Sequence, residues 1–204
     1  MNLAKIHNEL DRLFDVFNEK YYDNFLVKPM IIIQSTGKKP INVYCTLVKT
    51  WKKVDEEGHE LYEIGISAEH LAREVYGLCG TLLHEMTHLF CLMSGIKDVS
   101  PNFIYHNKKF KIEAEKRGLI IEQAPKIGYS VTKLNEEAKV FVDSLTIDPE
   151  LFTYARMLFV KPKVENKYKM HKFECPSCGE VVLSKNQDLQ CTCTNCEEDY
   201  IPKE

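Results

Sequence analysis

An almost uninterrupted apolar stretch, from Leu78 to Met93, constrains the fold of this chain more than any other feature. Its few polar side chains include His84, Glu85 and His88, which stand among leucines. A helix that is apolar on most sides is a buried helix. Two imidazoles and a carboxylate inside a core are costly unless they have partners. The chain must therefore fold so that a partner, such as a metal ion, meets these side chains.

The three polar residues form the pattern HExxH, in which the two histidines stand four positions apart. On a helix with about 3.6 residues per turn, both imidazoles can reach one ion. A catalytic zinc takes three protein ligands and leaves one position open. We therefore predict that His84 and His88 bind zinc, and that Glu85 is the general base that takes a proton from the attacking water.

The third ligand must come from another part of the chain. The nearest downstream histidine is His106, which follows a segment whose glycine and proline allow the chain to turn back. His70 lies upstream, on the order of 20 Å from the pattern if the helix is continuous. Glu113 and Asp143 are acidic alternatives. We predict His106 as the third ligand.

The rest of the first 150 residues predicts an α+β fold. Apolar residues at steps of three and four indicate a helix over about residues 2–20, and a second short helix is expected over 107–117. Three β-rich runs with short connections predict a small, mostly antiparallel sheet. These runs are 30–36, 41–51 and 60–67.

Three segments of the chain resemble the SprT-like zinc metallopeptidases. These segments read LFDVFNEKYYDNFL, HEMTH and YHNKKFKIEAEKRGL. In that family an HExxH is followed by a histidine just before a phenylalanine-containing helix. The matching positions in this chain are His84, Glu85, His88, His106 and Phe110. The family often has a glycine after the third histidine, where this chain has Asn107, a residue that tolerates left-handed backbone angles.

The resemblance covers about residues 5–145 and implies a zincin-like metalloprotease core that acts on protein substrates. In zinc peptidases the substrate lies extended along an edge strand, for which we expect residues 60–67. Tyr105 and Tyr129 are candidates for a side chain that polarises the substrate carbonyl.

A second metal site is predicted near the end of the chain. Two CxxC pairs are separated by 14 residues, a spacing that lets four thiolates close on a structural zinc. The predicted ligands are Cys175, Cys178, Cys193 and Cys196, with Cys191 as an alternative to Cys193. Short strands at 181–183 and 188–192 would complete a zinc ribbon that folds only with its metal.

Two stretches in the second half of the chain have opposite net charges. Residues 107–172 carry 14 basic and 9 acidic groups, a net charge of +5, whereas residues 173–204 carry 2 and 7, a net charge of -5. We predict a protease domain over 1–150, a basic linker over 151–172 and the ribbon over 173–204.

In SprT-like proteins a ribbon after the core is associated with nucleic-acid binding, so the resemblance implies DNA as a partner. The phosphate contacts are expected from the basic stretch Arg156 to Lys172 and from Lys108, Lys109 and Lys111. Phe173 or Tyr200 would stack on bases. The acidic charge of the ribbon itself argues against part of this expectation.

The leading hypothesis is a zinc-dependent endopeptidase of the SprT-like type, with DNA-bound or DNA-crosslinked proteins as its expected substrates and DNA repair as its setting. One alternative is a repressor-cleaving zinc protease of a phage or mobile element, whose third ligand is usually acidic. Another is a catalytically inactive adaptor that binds nucleic acid. Since the sequence has neither a membrane-length apolar run nor a signal-peptide pattern, we expect a cytoplasmic protein without a membrane partner.

Overall fold

The computed structural model describes residues 2–37, 43–46, 48–52, 60–157 and 169–203. These residues fall into two compact units, Met1–Leu158 and Phe159–Glu204. The elements of the first unit are α1 (Leu3–Tyr22), β1 (Met30–Gln34), β2 (Val43–Cys45), β3 (Trp51–Lys52), β4 (Glu60–Leu61), β5 (Glu63–Ser67), α2 (Val75–Met93), α3 (Lys108–Glu115), β6 (Leu119–Ala124), β7 (Gly128–Leu134) and α4 (Glu136–Ser144). Helices and sheets are therefore mixed along the unit, which confirms the α+β class.

The first helix forms where its apolar periodicity predicts it. Its N-cap is Asn2, whose side chain accepts a hydrogen bond from the amide of Ala4, and it ends at Asp23, which adopts left-handed angles. The buried stripe of α1 belongs to the core of the unit. This stripe consists of Ile6, Leu10, Leu13, Phe14, Phe17 and Tyr22.

The three-stranded sheet is mixed, so the expectation of a mostly antiparallel sheet is corrected. Its order is β1-β5-β2, with β1 parallel and β2 antiparallel to β5. The central position of β5 agrees with its continuous burial from Ile64 to Ser67. Residues 63–67 are therefore not an edge strand, and the prediction that the substrate lies along 60–67 is wrong for this stretch.

A glycine allows a tyrosine to lie across the central strand. Tyr44 on β2 is paired with Gly65, and a Cβ on Gly65 would lie 2.3 Å from the Tyr44 ring. The Tyr44 hydroxyl donates to Glu63 Oε1 at 2.5 Å. The indole N–H of Trp51 donates to the other oxygen of the same carboxylate at 2.7 Å.

The long apolar helix α2 is the centre of the first unit. It packs against α1, α3, β2 and β7. The antiparallel hairpin of β6 and β7, which our sequence analysis did not predict, supplies part of this packing. Residues after 150 also belong to this unit, since Phe152 is buried and its carbonyl accepts a hydrogen bond from the amide of Arg73.

The second unit contains β8 (His171–Glu174), β9 (Val181–Ser184) and β10 (Ile201–Lys203) in the order β10-β8-β9. The predicted strand at 181–183 is present as β9. The predicted strand at 188–192 is not, because β9 pairs with β8, and within 188–192 only Thr192 makes a bridge, to Asp199. Among the helices that the structure describes, we find none with the length and apolar character needed to cross a membrane.

Candidate metal centre

Three histidine side chains from two parts of the chain converge in the first unit. His84 and His88 lie one turn apart on α2, and His106 precedes α3. The Nε2 atoms are 3.2 Å apart between His84 and His88, 3.1 Å between His88 and His106, and 3.3 Å between His84 and His106. A tetrahedral zinc with Zn–N bonds of about 2.0–2.1 Å holds its nitrogen ligands about 3.3–3.4 Å apart. The histidines therefore have the spacing that such an ion requires.

The other ring nitrogen of each histidine faces an oxygen atom. Nδ1 of His88 lies 2.5 Å from Asp98 Oδ2, and Nδ1 of His106 lies 3.2 Å from the carbonyl of Ile127. Nδ1 of His84 lies 2.7 Å from the hydroxyl of Thr132, which itself donates to the carbonyl of Ser130.

These partners favour one tautomer of the rings. A carboxylate and a carbonyl can only accept, so we place a proton on Nδ1 of His88 and of His106, and the Thr132 hydroxyl, 3.4 Å from the carbonyl of Ser130, can accept from Nδ1 of His84 in the same way. Each Nε2 then directs a lone pair at the other two. Three lone pairs at this distance repel one another unless a cation lies between them, and the donor set therefore fits a metal ion.

The return of the chain from α2 to His106 depends on a glycine-ended helix. After α2, Gly95 adopts left-handed angles, with φ 68°, and Ile96 donates to the carbonyl of Cys91. This is the Schellman arrangement, which ends a helix and reverses the chain. The segments 98–100 and 105–107 then pair as a short ladder, in which Asn107 N donates to Asp98 O. The ladder places Asp98 and His106 beside His88.

Asn107 has a different role from the one expected. Its φ and ψ are -93° and -178°, so the left-handed turn that we expected from the family glycine is absent at this position. Asn107 is instead the N-cap of α3, and its side-chain oxygen accepts from the amides of Lys109 and Phe110. Its side-chain amide donates to the carbonyl of Lys97 at 2.8 Å.

An aromatic ring closes the inner side of the centre. The fully buried Phe110 has its ring centroid 4.5 Å from those of His84 and His88 and 4.9 Å from that of His106. Burial, followed by the neighbouring His88, lowers the pKa of His84 and of His106. Both rings are therefore neutral at pH 7, which is the form that binds metal.

Glu85 is buried beside the histidines. Burial raises the pKa of its carboxyl to about 7, while a backbone hydrogen bond from Cys45 on β2 opposes this rise. A dication bound at the three histidines would also lower this pKa, since an opposite charge favours the carboxylate. The contact with Cys45 places the carboxylate between α2 and the edge strand of the sheet.

The other candidates from the sequence lie outside this group. His70 belongs to a 3-10 turn, Ala68–His70, before α2. Glu113 is paired with Lys116 and Arg117, and Asp143 accepts a hydrogen bond from Tyr76. The Tyr105 ring lies against Gly128, and the Tyr129 ring lies under the Lys111 ammonium.

A second cluster lies in the second unit, over the predicted ribbon, and consists of Cys175, Cys178, Cys193 and Cys196. Their sulfur atoms lie within 4.8 Å of one another, and Cys191 is outside the group. The two halves have the same backbone pattern. Gly179 donates to the carbonyl of Cys175 and Glu197 to that of Cys193, and both donors have positive φ. The amide of Cys178 is the main cause that lowers the pKa of the Cys175 thiol to about 7, whereas a hydrogen bond with the Cys178 side chain is the main cause that raises the pKa of the Cys196 thiol.

The lysines predicted to bind phosphate are described only in part. Lys108 and Lys109 are exposed at the start of α3, and Lys172 is exposed on β8. Phe173 is buried in the ribbon, so it is not available for stacking on a base. Lys161, Lys163 and Lys167 lie outside the described residues.

The partners of the three histidines were missed in the sequence analysis. Asp98, Thr132 and Ile127 are 10, 48 and 21 residues from the rings that they contact. The KDVS segment carried one usable signal, since an acid soon after an HExxH helix can reach back to it. Neither models of known protein families nor curated proteins give a match to this chain.

Proposed function

We propose that the chain is a zinc-dependent endopeptidase of the SprT-like kind. The observation that carries this proposal is the convergence of the Nε2 atoms of His84, His88 and His106, with Glu85 adjacent to His84 on α2. Imidazole suits zinc, and three histidines leave one position of a tetrahedral ion open. When bound, zinc supplies a Lewis acid that activates water and polarises a carbonyl.

The residues of the chain then have separate roles. The three histidines hold the ion, and Thr132, Asp98 and the carbonyl of Ile127 orient their rings. Phe110 excludes water from the inner side of the centre. Glu85 takes a proton from the attacking water and passes it to the leaving amine.

The substrate strand is assigned to the free edge of β2. Within the part of the chain that the structure describes, β2 has a neighbour on one side only in the order β1-β5-β2, and the amide of its Cys45 faces Glu85. A polypeptide that pairs with β2 would therefore lie extended along α2, next to the three histidines. Such pairing forms hydrogen bonds with the main chain of the substrate, whatever its side chains are, so we expect broad substrate choice.

The position of His106 favours this proposal over a repressor-cleaving protease with an acidic third ligand. Glu113 and Asp143, the acidic alternatives, have hydrogen-bond partners elsewhere. The intact HExxH and its ordered partners favour an enzyme over an inactive adaptor. Stimulation by DNA and action on DNA-bound proteins remain predictions, which the exposed Lys108 and Lys109 support by their charge alone.

The experiment is cleavage of unfolded casein by the zinc-loaded protein, with and without single-stranded DNA. We expect Glu85→Gln to keep its zinc and to lose about 10²–10⁴-fold in kcat/KM, because general acid–base catalysis contributes about that much. Glu115→Gln, an exposed change on α3, is the control and keeps full activity. A zinc-loaded protein that leaves casein intact in both conditions would contradict the proposal, as would an unimpaired Glu85→Gln variant.

A further inference from the structure

A loop of exposed apolar side chains leads directly into His106. Phe103 is 65% exposed and Ile104 is 55% exposed, and both belong to the continuously exposed stretch 101–105. Ile127, whose carbonyl contacts the His106 ring, is 40% exposed. Adjacent exposed apolar side chains at the rim of a site are typical of a surface that binds something apolar.

The structure of the loop holds these side chains in solvent. Phe103 donates to the carbonyl of Ser100 at 2.8 Å, and Tyr105 N donates to the Ser100 hydroxyl at 3.1 Å. Phe103 has φ 59°, a left-handed conformation that is rare for a bulky residue. A strained and exposed phenylalanine gains no burial inside this chain. Strain of this kind is characteristic of functional sites.

The base of the loop is attached to the metal centre. Ser100 N donates to Tyr105 O, and Asn107 N donates to Asp98 O, on either side of the bridge between Val99 and His106. On its other side, His106 N donates to Ile127 O, and Tyr129 N donates to His106 O. The apolar residues are therefore held in register with a metal ligand by backbone hydrogen bonds on both sides.

We propose that Phe103 and Ile104, together with Ile127, form a specificity surface that takes an apolar side chain of the substrate polypeptide close to the cleaved bond. The inference rests on the proposed peptidase function. It adds a preference for apolar residues to the main-chain pairing expected at β2. Apolar contact alone discriminates moderately, by about 10-fold to 200-fold for small differences in side-chain size.

Exposed lysines near the loop, Lys97, Lys108 and Lys109, raise a different possibility, since apolar residues beside lysines also bind anionic membranes. The hydrogen bonds that tie the loop to His106 and Asp98 favour the substrate. A membrane anchor would not need this register with the metal centre.

The test compares two fluorescein-labelled peptides of glycine and serine, one with a single central leucine and the other with serine there. Their binding to zinc-loaded Glu85→Gln protein, which prevents cleavage, is followed by fluorescence anisotropy. We expect the leucine peptide to bind about tenfold more tightly or better. Adding Phe103→Ser and Ile104→Ser should abolish this preference with zinc retained. Adding Val140→Ser, a change at an apolar residue of α4 that is 69% exposed, should leave it intact.

Each other outcome overturns the inference. If the leucine preference survives the loop changes, another surface is responsible for it. If the zinc-loaded Glu85→Gln protein shows no leucine preference, the proposed specificity surface does not exist. Loss of binding to phosphatidylserine vesicles on changing the loop, without any leucine preference, would assign the loop to membranes. Casein cleavage by the intact protein separates the two proposals. Cleavage without leucine preference would contradict this inference alone. A loop-dependent preference without cleavage would contradict the peptidase proposal and, with it, the position of the surface beside a cleaved bond.

Discussion

Asp98 accepts a hydrogen bond from Nδ1 of His88 at 2.5 Å, and both side chains are buried. The same residue accepts, through its backbone carbonyl, the amide of Asn107 at 2.9 Å. One residue therefore orients His88, a candidate metal ligand of α2, and also holds the segment that carries His106. The two halves of the histidine centre are linked through it.

Replacement of Asp98 by asparagine should weaken metal binding. The variant keeps the size of the side chain but loses the charge that orients His88, so we expect zinc affinity to fall about 10–100-fold. Competition with a chromophoric chelator measures this. Asp143→Asn, which changes an exposed carboxylate bonded to Tyr76, should leave the affinity unchanged. Equal affinities for both variants would show that Asp98 does not support His88.

Removal of the Asn107 cap should destabilise the first unit without removing its metal ligands. Asn107→Ala leaves the amides of Lys109 and Phe110 without their acceptor, and we expect a loss of about 1 kcal/mol in the free energy of unfolding. Asn107→Asp keeps a side-chain acceptor, so its free energy of unfolding should fall by less than that of Asn107→Ala. Trp51, the single tryptophan, reports urea unfolding of this unit by fluorescence. The role as N-cap would be refuted if both variants lost the same amount.

The ribbon should depend on one of two nearby cysteines. Cys193→Ser removes a buried member of the four-cysteine group, whereas Cys191→Ser changes a thiol outside it. We expect Cys193→Ser to lose one zinc per chain and the dispersed amide signals of β8, β9 and β10, because so small a unit folds with its metal. Cys191→Ser should keep both. The opposite result would assign the ligand to Cys191.

The first unit should lose stability in acid through Glu113. Burial alone would raise its pKa, but hydrogen bonds from Lys116 and Arg117 outweigh burial, and the pKa is lowered. A lowered folded-state pKa gives stability that is complete above the unfolded value, about 4.3, and is lost as the pH falls through the folded value. The free energy of unfolding of the metal-free intact protein should therefore be about 1–3 kcal/mol larger than that of Glu113→Gln near pH 7. This difference should shrink below about pH 4. Glu122→Gln, at an exposed ion pair, serves as the control. An advantage that does not change between pH 7 and pH 3 would refute the assignment.

Local patterns predicted the long helices and the residues of the two candidate metal clusters because each depends on spacing along the chain. The apolar periodicity of α1, the HExxH of α2 and the paired CxxC segments require no knowledge of distant contacts. His106 could be predicted as the third residue of the cluster for a similar reason, since Gly95 indicated where α2 ends and the chain reverses.

The order of the strands and the partners of the histidines could not be read in this way. Strand order depends on which faces become buried, and the order β1-β5-β2 brings Tyr44 across Gly65 of β5, a contact that the sequence does not reveal. Thr132 reaches His84 only because β7 packs against α2. The hairpin itself had a signal that we did not use, namely the β-prone run of Leu119, Ile120 and Ile121 before the turn at Pro125.

Elemental analysis of the intact protein and of His106→Ala gives the number of zinc ions per chain and so tests whether the three histidines bind zinc. We expect two zinc ions in the intact protein and one in the variant. His70→Ala, a change outside the histidine group, should retain both. One zinc in both the intact protein and His106→Ala would leave only the four cysteines occupied and would contradict the proposed peptidase centre.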